Sequence, residues 1–219
     1  MHLNSELLFR RYALPFFKSN LKVLEIGPGT IPSVFNKLIN NSEIEWHTLD
    51  FSGCGDNLTY IIESPYDFPV ENDYYDIVFS AQVMEHVEKI WLWLKEIKRV
   101  VKKDGLIITI NPVSWPYHLA PVDCWRIYPS GIKALADELN LCVELCLFES
   151  LEEKMIKDEL PYVKIIPGKS YKYGIPGRKI RAIKMYNNFL HYIPFFKNYF
   201  GIPIEAAFDT ISILKKNES

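Results

Sequence analysis

Cysteine is scarce in this 219-residue chain: Cys54, Cys124, Cys142 and Cys146 are the only four, with no CxxC pair and no zinc-finger Cys/His spacing. A disulfide framework is therefore not expected. Cys142 and Cys146, set in an apolar run, read as buried free thiols of a reduced, cytoplasmic protein. An excess of one charge is also missing. With 25 basic and 27 acidic residues the net charge is −2, which gives no general pull toward nucleic acid or an anionic membrane. No uncharged apolar run is long enough for a transmembrane segment. Met1–Asn20 mixes Glu6, Arg10 and Arg11 into its apolar residues, unlike a secretory leader. No internal repeat or low-complexity tract occurs.

What is there is an alternation of strands and helices. Asn4-Ser5-Glu6 predicts the cap of a short helix reaching about Phe17. Leu21–Ile26 is apolar almost throughout and closes in Gly27-Pro28-Gly29, the pattern of a strand buried on both faces. A helix over Ile31–Ile39 follows, then strands over Ile44–Leu49, Leu58–Ile62, Tyr75–Ser80 and Gly105–Ile110. Between the last two of these, Trp91, Leu94, Ile97 and Val100 recur at helical spacing against Lys95, Lys98 and Arg99. A helix over Pro129–Asn140 and strands over Leu141–Phe148 and Ala206–Leu214 complete the series. Such alternation implies an α/β, Rossmann-like, doubly wound sheet in a single domain spanning 1–219, with the N-terminal helix inside 1–20. The stretch 151–203 breaks the rhythm. It carries ten basic side chains against four acidic ones and is rich in Tyr and Phe, an α-rich or irregular insertion or lid before the last strand.

The first chemical signal is Glu25-Ile26-Gly27-Pro28-Gly29. Glycines after a strand let a ligand approach the backbone, and the helix that follows offers free N–H groups. The second is Asp50, 23 residues after Gly27 at the end of the second strand, where a carboxylate can accept hydrogen bonds from ribose hydroxyls. Together they indicate an adenosine-type ligand. NAD is disfavoured, because GxGxxG requires glycine where this chain has Pro32.

These segments, with Tyr75-Asp76-Ile77-Val78-Phe79-Ser80-Ala81-Gln82-Val83-Met84-Glu85-His86-Val87 and Lys103-Asp104-Gly105-Leu106, resemble the motif series of class I S-adenosyl-L-methionine (SAM)-dependent methyltransferases, small-molecule branch. The resemblance covers Leu21–Phe148. It implies a seven-stranded sheet with the last strand antiparallel, SAM as cofactor, and methyl transfer. It also implies that Glu25, Gly27, Pro28 and Gly29 line the methionyl end, Asp50 the ribose and Phe51 the adenine. Either Glu63 or Ser64 falls near adenine, and Ser80, Ala81 and Gln82 border the cofactor. The family often has glycine where this chain has Ile31, which narrows the turn.

His118-Leu-Ala-Pro121-Val-Asp123-Cys-Trp125-Arg126-Ile-Tyr128 follows the fifth strand. It resembles a stretch of methyltransferases encoded with bacterial surface-glycan genes, which implies a sugar, nucleotide-sugar or phosphorylated acceptor methylated on O or N. Histidine is the residue type suited to a general base near neutral pH, which makes His118 the candidate; Asp123 could orient it or act itself, and His86 beside Glu85 is the rival base. Tyr117, Trp125, Arg126 and Tyr128 are candidate acceptor-binding residues. A structural reading stays open, in which Asp123 and Arg126 pair and pin the loop under Trp125. No metal is expected, since no carboxylate pair follows the fourth and fifth strands, and no nucleic-acid partner is expected, since Ser80-Ala81-Gln82-Val83 stands where an Asn-Pro-Pro-aromatic run would be. A monomer or homodimer is expected. The alternative to an enzyme is a SAM- or nucleoside-binding module that acts as a regulatory partner.

Overall fold

The computed structural model describes residues 3–51, 53, 57–159, 163–168, 182, 185–187, 189–190, 192–193 and 203–217. The main sheet is built from β1 (Lys22–Ile26), β2 (Glu45–Phe51), β3 (Tyr60–Ile62), β4 (Tyr75–Ala81), β5 (Val101–Pro112), β6 (Leu141–Glu149) and a final strand, Asp209–Lys216. A second, two-stranded sheet pairs β7 (Ile165–Pro167) in parallel with β8 (Ile204–Ala206), so the final strand of the main sheet is β9. The main sheet runs in the order β3-β2-β1-β4-β5-β9-β6. The pairs from β3 across to β5 are parallel, and β9 is antiparallel to both β5 and β6. This is the expected seven-stranded Rossmann-like sheet with its last strand antiparallel.

Alternation along the central strands sends side chains to two cores, one on each face. Leu24, Ile26, Val78 and Ile107 join the cluster under Ile90, Trp93, Leu94 and Ile97. Val23, Ile77, Phe79, Ile108 and Ile110 join the other, under Leu8, Phe9 and Phe35. A strand buried on both sides has little polar surface, which is why β1 and β4 are mostly apolar, broken only by Lys22, Glu25, Asp76 and Ser80. At Gly105 an added Cβ would lie 2.9 Å from the Asp76 carbonyl oxygen, so β5 can press against β4 only without a side chain there.

Several boundaries differ from the sequence expectation, each for a local reason. The N-terminal helix is α-helical only at Leu3–Leu8 (α1). Phe9–Ala13 then opens into a π-helical turn, and Leu14–Phe16 tightens into a 3-10 turn holding Pro15, which has no N–H to donate. Asn4 is no exposed cap: it is fully buried, its side-chain amide donates to the Glu149 carbonyl and the Asp209 carboxylate, and its carbonyl oxygen accepts from the Leu151 amide. α2 covers Val34–Ile39 rather than starting at Ile31, because Pro32 disfavours helical backbone before it and the Ser33 hydroxyl caps the helix by accepting from the Asn36 amide at 3.0 Å. In α3 (Ile90–Val100) the buried stripe is Ile90, Trp93, Leu94, Ile97 and Val100, and Trp91 faces outward. β5 begins at Val101, ahead of the expected Gly105, with a register shift opposite Tyr75 and Ile77. α4 (Pro129–Glu138) leads into β6, an edge strand, which explains why Cys142 is exposed and Cys146 only half-buried instead of both being core thiols; Cys124, Cys142 and Cys146 are free.

The described part of the insertion holds α5 (Leu151–Glu159) and β7. Cys54, Lys169, Lys172, Arg178, Lys179, Arg181, Lys184 and Lys197 lie outside the described residues. Among the described residues no helix is long and apolar enough to cross a membrane.

Phe79 sits at the centre of an aromatic group, with ring centroids 5.1 Å from Phe9, 4.7 Å from Phe35 and 6.1 Å from Phe17. It fastens the N-terminal segment and α2 to the sheet. Phe79→Ala is expected to lower the unfolding free energy by about 3–5 kcal/mol in a denaturant titration. A loss below about 1 kcal/mol would show that this packing does not hold the element pair.

Candidate active site

In an open α/β sheet the carboxyl ends of the parallel strands leave a crevice beside the first strand. Here the ends of β1, β2 and β4 surround a cavity of about 670 Å³ lined by Gly27, Gly29, Asp50, Phe51, Gln82, Val83, His86, Val87, Ala120 and Pro121. A slightly larger groove, about 730 Å³, lies among Asp73, Lys98, Arg99, Asn140 and Lys216. It sits at the opposite, amino-terminal edge of the parallel strands, where such sheets do not hold ligands.

Gly27 has φ +71°, and a Cβ there would come within 2.3 Å of a Val83 methyl; its N–H donates to the Leu49 carbonyl at 3.0 Å. Gly29, at φ +67°, faces open space. Asp50 lies inside β2, and one carboxylate oxygen accepts from the Phe51 amide at 2.8 Å. Phe51 keeps 38% of its surface exposed at the cavity edge, ready to cover a flat ligand. Gln82 takes φ +60°, and its side-chain amide donates to Ser5 at 3.1 Å and Asp209 at 3.4 Å. A non-glycine residue held in left-handed backbone at a strand end is the kind of strain that collects at functional sites.

Other expected cofactor residues stand further back. Glu25 is buried on the far face of β1, where its carboxylate accepts from the Trp46 indole at 2.9 Å. Burial pushes its pKa up to about 7, against the opposing hydrogen bonds from Ser33 and Trp46. Ser80 and Ala81 are held in the sheet, with Ser80 paired beside Ile26 and Thr109, and Pro28 and Ile31 do not border the cavity among its described lining. Glu63 and Ser64 follow Ile62, which pairs with Phe51, so they share this edge without lining the cavity; the Ser64 hydroxyl accepts from the Tyr66 amide.

The loop after β5 returns over the cavity. Its Cys124 amide donates to the Glu85 carbonyl at 2.7 Å and the Trp125 indole to the Val87 carbonyl at 2.9 Å. This brings His118 against His86, ring centroids 4.8 Å apart and rings perpendicular. The His86 Nδ1 bonds the Val122 carbonyl at 2.6 Å, so Nδ1 carries the proton and Nε2 is left as the acceptor. Burial lowers the His86 pKa, keeping it neutral. His118 Nδ1 lies 3.1 Å from the Pro116 carbonyl and 3.5 Å from the Asp123 carboxylate.

Asp123 itself is engaged by Arg126 through two parallel bonds of 2.5 and 2.7 Å, and it also accepts from the His118 amide. The guanidinium holds Asp123 down to about 2, too acidic to take a proton from an acceptor. Arg126 further donates to the Trp115 and Trp125 carbonyls. The pair therefore pins the loop, and Arg126 has little left with which to grip an acidic acceptor. Trp125 packs on the core, Tyr128 precedes α4 and packs beside Phe148 at 5.3 Å, and Tyr117 is 74% exposed.

Residues 24–109 match the family model described as a methyltransferase domain. No curated protein matches the chain. Among solved structures, a SAM-dependent methyltransferase from Archaeoglobus fulgidus is 19% identical with a TM-score of 0.58, covering 97% of this chain and 94% of that one. Phosphoethanolamine N-methyltransferase 2 from Haemonchus contortus, in complex with SAM, is 13% identical with a TM-score of 0.56, covering 98% of this chain and 52% of that one. At these identities the likeness is one of fold. The domain match and the fold support SAM as the cofactor. The cavity fits it: a side-chain-free bend at Gly27, a carboxylate at Asp50 and an exposed ring at Phe51 meet one space.

Two features of the site had little sequence signal. Glu85 is 1% exposed, and among the described residues neither carboxylate oxygen has a hydrogen-bond partner. Burial pushes its pKa up to about 8. Asn4, Ser5, Gln82 and Asp209 form a polar network behind the cavity, and nothing in their local sequence marks them as partners.

Because Glu25 has a higher pKa folded than unfolded, the folded state holds that proton more tightly between about pH 4.5 and about 7. Its contribution to stability is complete below that window and is lost as the pH rises through it. Chemical denaturation across this range should show wild type losing stability relative to Glu25→Gln as the pH rises. A difference between the two that does not change with pH would contradict the buried, raised carboxyl.

Proposed function

We propose that this chain is a class I SAM-dependent methyltransferase that moves a methyl group to O or N of a small acceptor, a sugar, nucleotide-sugar or phosphorylated intermediate of surface-glycan synthesis. The observation that carries the reading is the shared wall: His86, in contact with His118, lines the same cavity as Gly27, Asp50 and Phe51. The glycan class is supported by the resemblance of the His118–Tyr128 stretch. The cytoplasmic placement rests on the sequence reading of few, unclustered cysteines.

When bound, SAM supplies a methyl group on a sulfonium, already electrophilic. The chain's task is then to position the acceptor and to take its proton. Asp50 would accept from the ribose, Phe51 would cover the adenine, and Gly27 and Gly29 would let the methionyl part lie against backbone. His86 and His118 are the groups placed to receive a proton, each with its Nδ1 engaged by a carbonyl. Asp123 and Arg126 are positioning residues that hold the His118 loop.

Incubation with labelled SAM and a panel of sugars, sugar phosphates and nucleotide-sugars should label at least one of them. Label passing only to protein or RNA would overturn the acceptor class. Asp50→Ala is expected to weaken SAM binding in calorimetry by about 1–3 kcal/mol, the cost of leaving buried polar partners unpaired. Unchanged affinity would contradict the ribose role.

A further inference from the structure

Glu85 is a carboxylate almost fully removed from water, and its two oxygens have no hydrogen-bond partner among the described residues. Such a group is costly to bury unless something positive meets it. Its Oε1 lies 3.7 Å from His86 Nε2, and one donor atom each from Glu85, His86 and His118 fall within 4.8 Å of one another. We propose that Glu85, His86 and His118 form a binding site for a divalent transition-metal ion at the wall of the cofactor cavity. The sequence predicts no metal, since no carboxylate pair follows the fourth and fifth strands. The loop after β5 instead delivers a second histidine to a Glu-His pair.

Two histidines and one carboxylate suit ions of the zinc, manganese or cobalt class rather than calcium or magnesium, which prefer all-oxygen sites. The outer partners have the pattern that metal-binding histidines require, in which the second ring nitrogen is held by a carbonyl or carboxylate. His86 Nδ1 is held by the Val122 carbonyl. His118 Nδ1 is near both the Pro116 carbonyl and the Asp123 carboxylate, and Asp123 is in turn fixed by Arg126. The Asp123–Arg126 pair, which cannot serve as a base, thereby gains a use: it aims His118. Three protein donors leave coordination positions for water or for an acceptor's oxygen, and an imidazole engaged by the ion no longer serves as the base. That last role rests on the methyltransferase reading; the site itself does not.

The test is calorimetric titration of Zn²⁺ into the full chain, stripped with a chelator and with its thiols alkylated so that exposed cysteines do not compete. One equivalent should bind with micromolar affinity. His86→Ala, His118→Ala and Glu85→Gln should each weaken binding about tenfold or more. Circular dichroism and thermal unfolding confirm that each variant is folded, and His118→Ala, on a half-exposed loop side chain, carries the test if a buried change unfolds the protein. Absence of binding at millimolar Zn²⁺, or unchanged affinity in folded His118→Ala, overturns the site. If no Zn²⁺ binds while His118→Ala still slows methyl transfer, the metal is rejected and the base reading survives. If Zn²⁺ binds as described and no acceptor is methylated, the site stands and the functional reading fails.

Discussion

At residue 27 the chain has room for a backbone and nothing more. β1 and β4 run side by side, and as they end, Val83 closes over the bend so tightly that a Cβ on Gly27 would sit 2.3 Å from its methyl group. No flexible side-chain tip relieves that overlap, and the left-handed backbone at Gly27 and Gly29 adds its own cost for any other residue. This contact shapes one corner of the cavity. Val83 forms one wall, the bare bend forms another, and the ends of β2 and the β5 loop complete it.

Behind that bend a polar network couples distant parts of the chain to the site. Asp209 begins β9, where it pairs with Pro112 of β5 and Glu149 of β6. Its carboxylate accepts from Asn4 of the first helix and from Gln82 at the end of β4. The antiparallel last strand thus does more than fill the sheet. It supplies the anchor that holds Gln82 in its unusual backbone conformation, and the N-terminal helix is tied to the same anchor. Buried polar networks of this kind specify one arrangement when every member is satisfied.

Much of this fold was readable from the sequence because its central strands are buried on both faces. Tyr75–Ser80 and Leu21–Ile26 are mostly apolar on both faces, with Asp76, Ser80, Lys22 and Glu25 the exceptions, and each is followed by residues that turn the chain. Asp50 and Gly27 were legible for the same reason, since they mark where strands stop. What was not legible depends on loop return. No spacing rule places His118 on His86, because a loop pinned by Asp123–Arg126 and by Trp125 decides it. Whether Glu85 would be partnered could not be read either, since isolation is a property of the assembled surroundings. On α3, Trp91 and Trp93 are equally apolar, and only docking on the sheet selected Trp93 for burial. Glu25 shows the converse: the motif marks the residue, but its carboxylate turns to Trp46 on the far face of β1.

The most direct measurement is a crystal structure of the protein grown or soaked with S-adenosylhomocysteine. The account predicts density in the cavity beside Gly27, with the ribose hydroxyls on the Asp50 carboxylate and the adenine against Phe51. Ligand bound elsewhere, or a cavity that stays empty at saturating concentration, would contradict it.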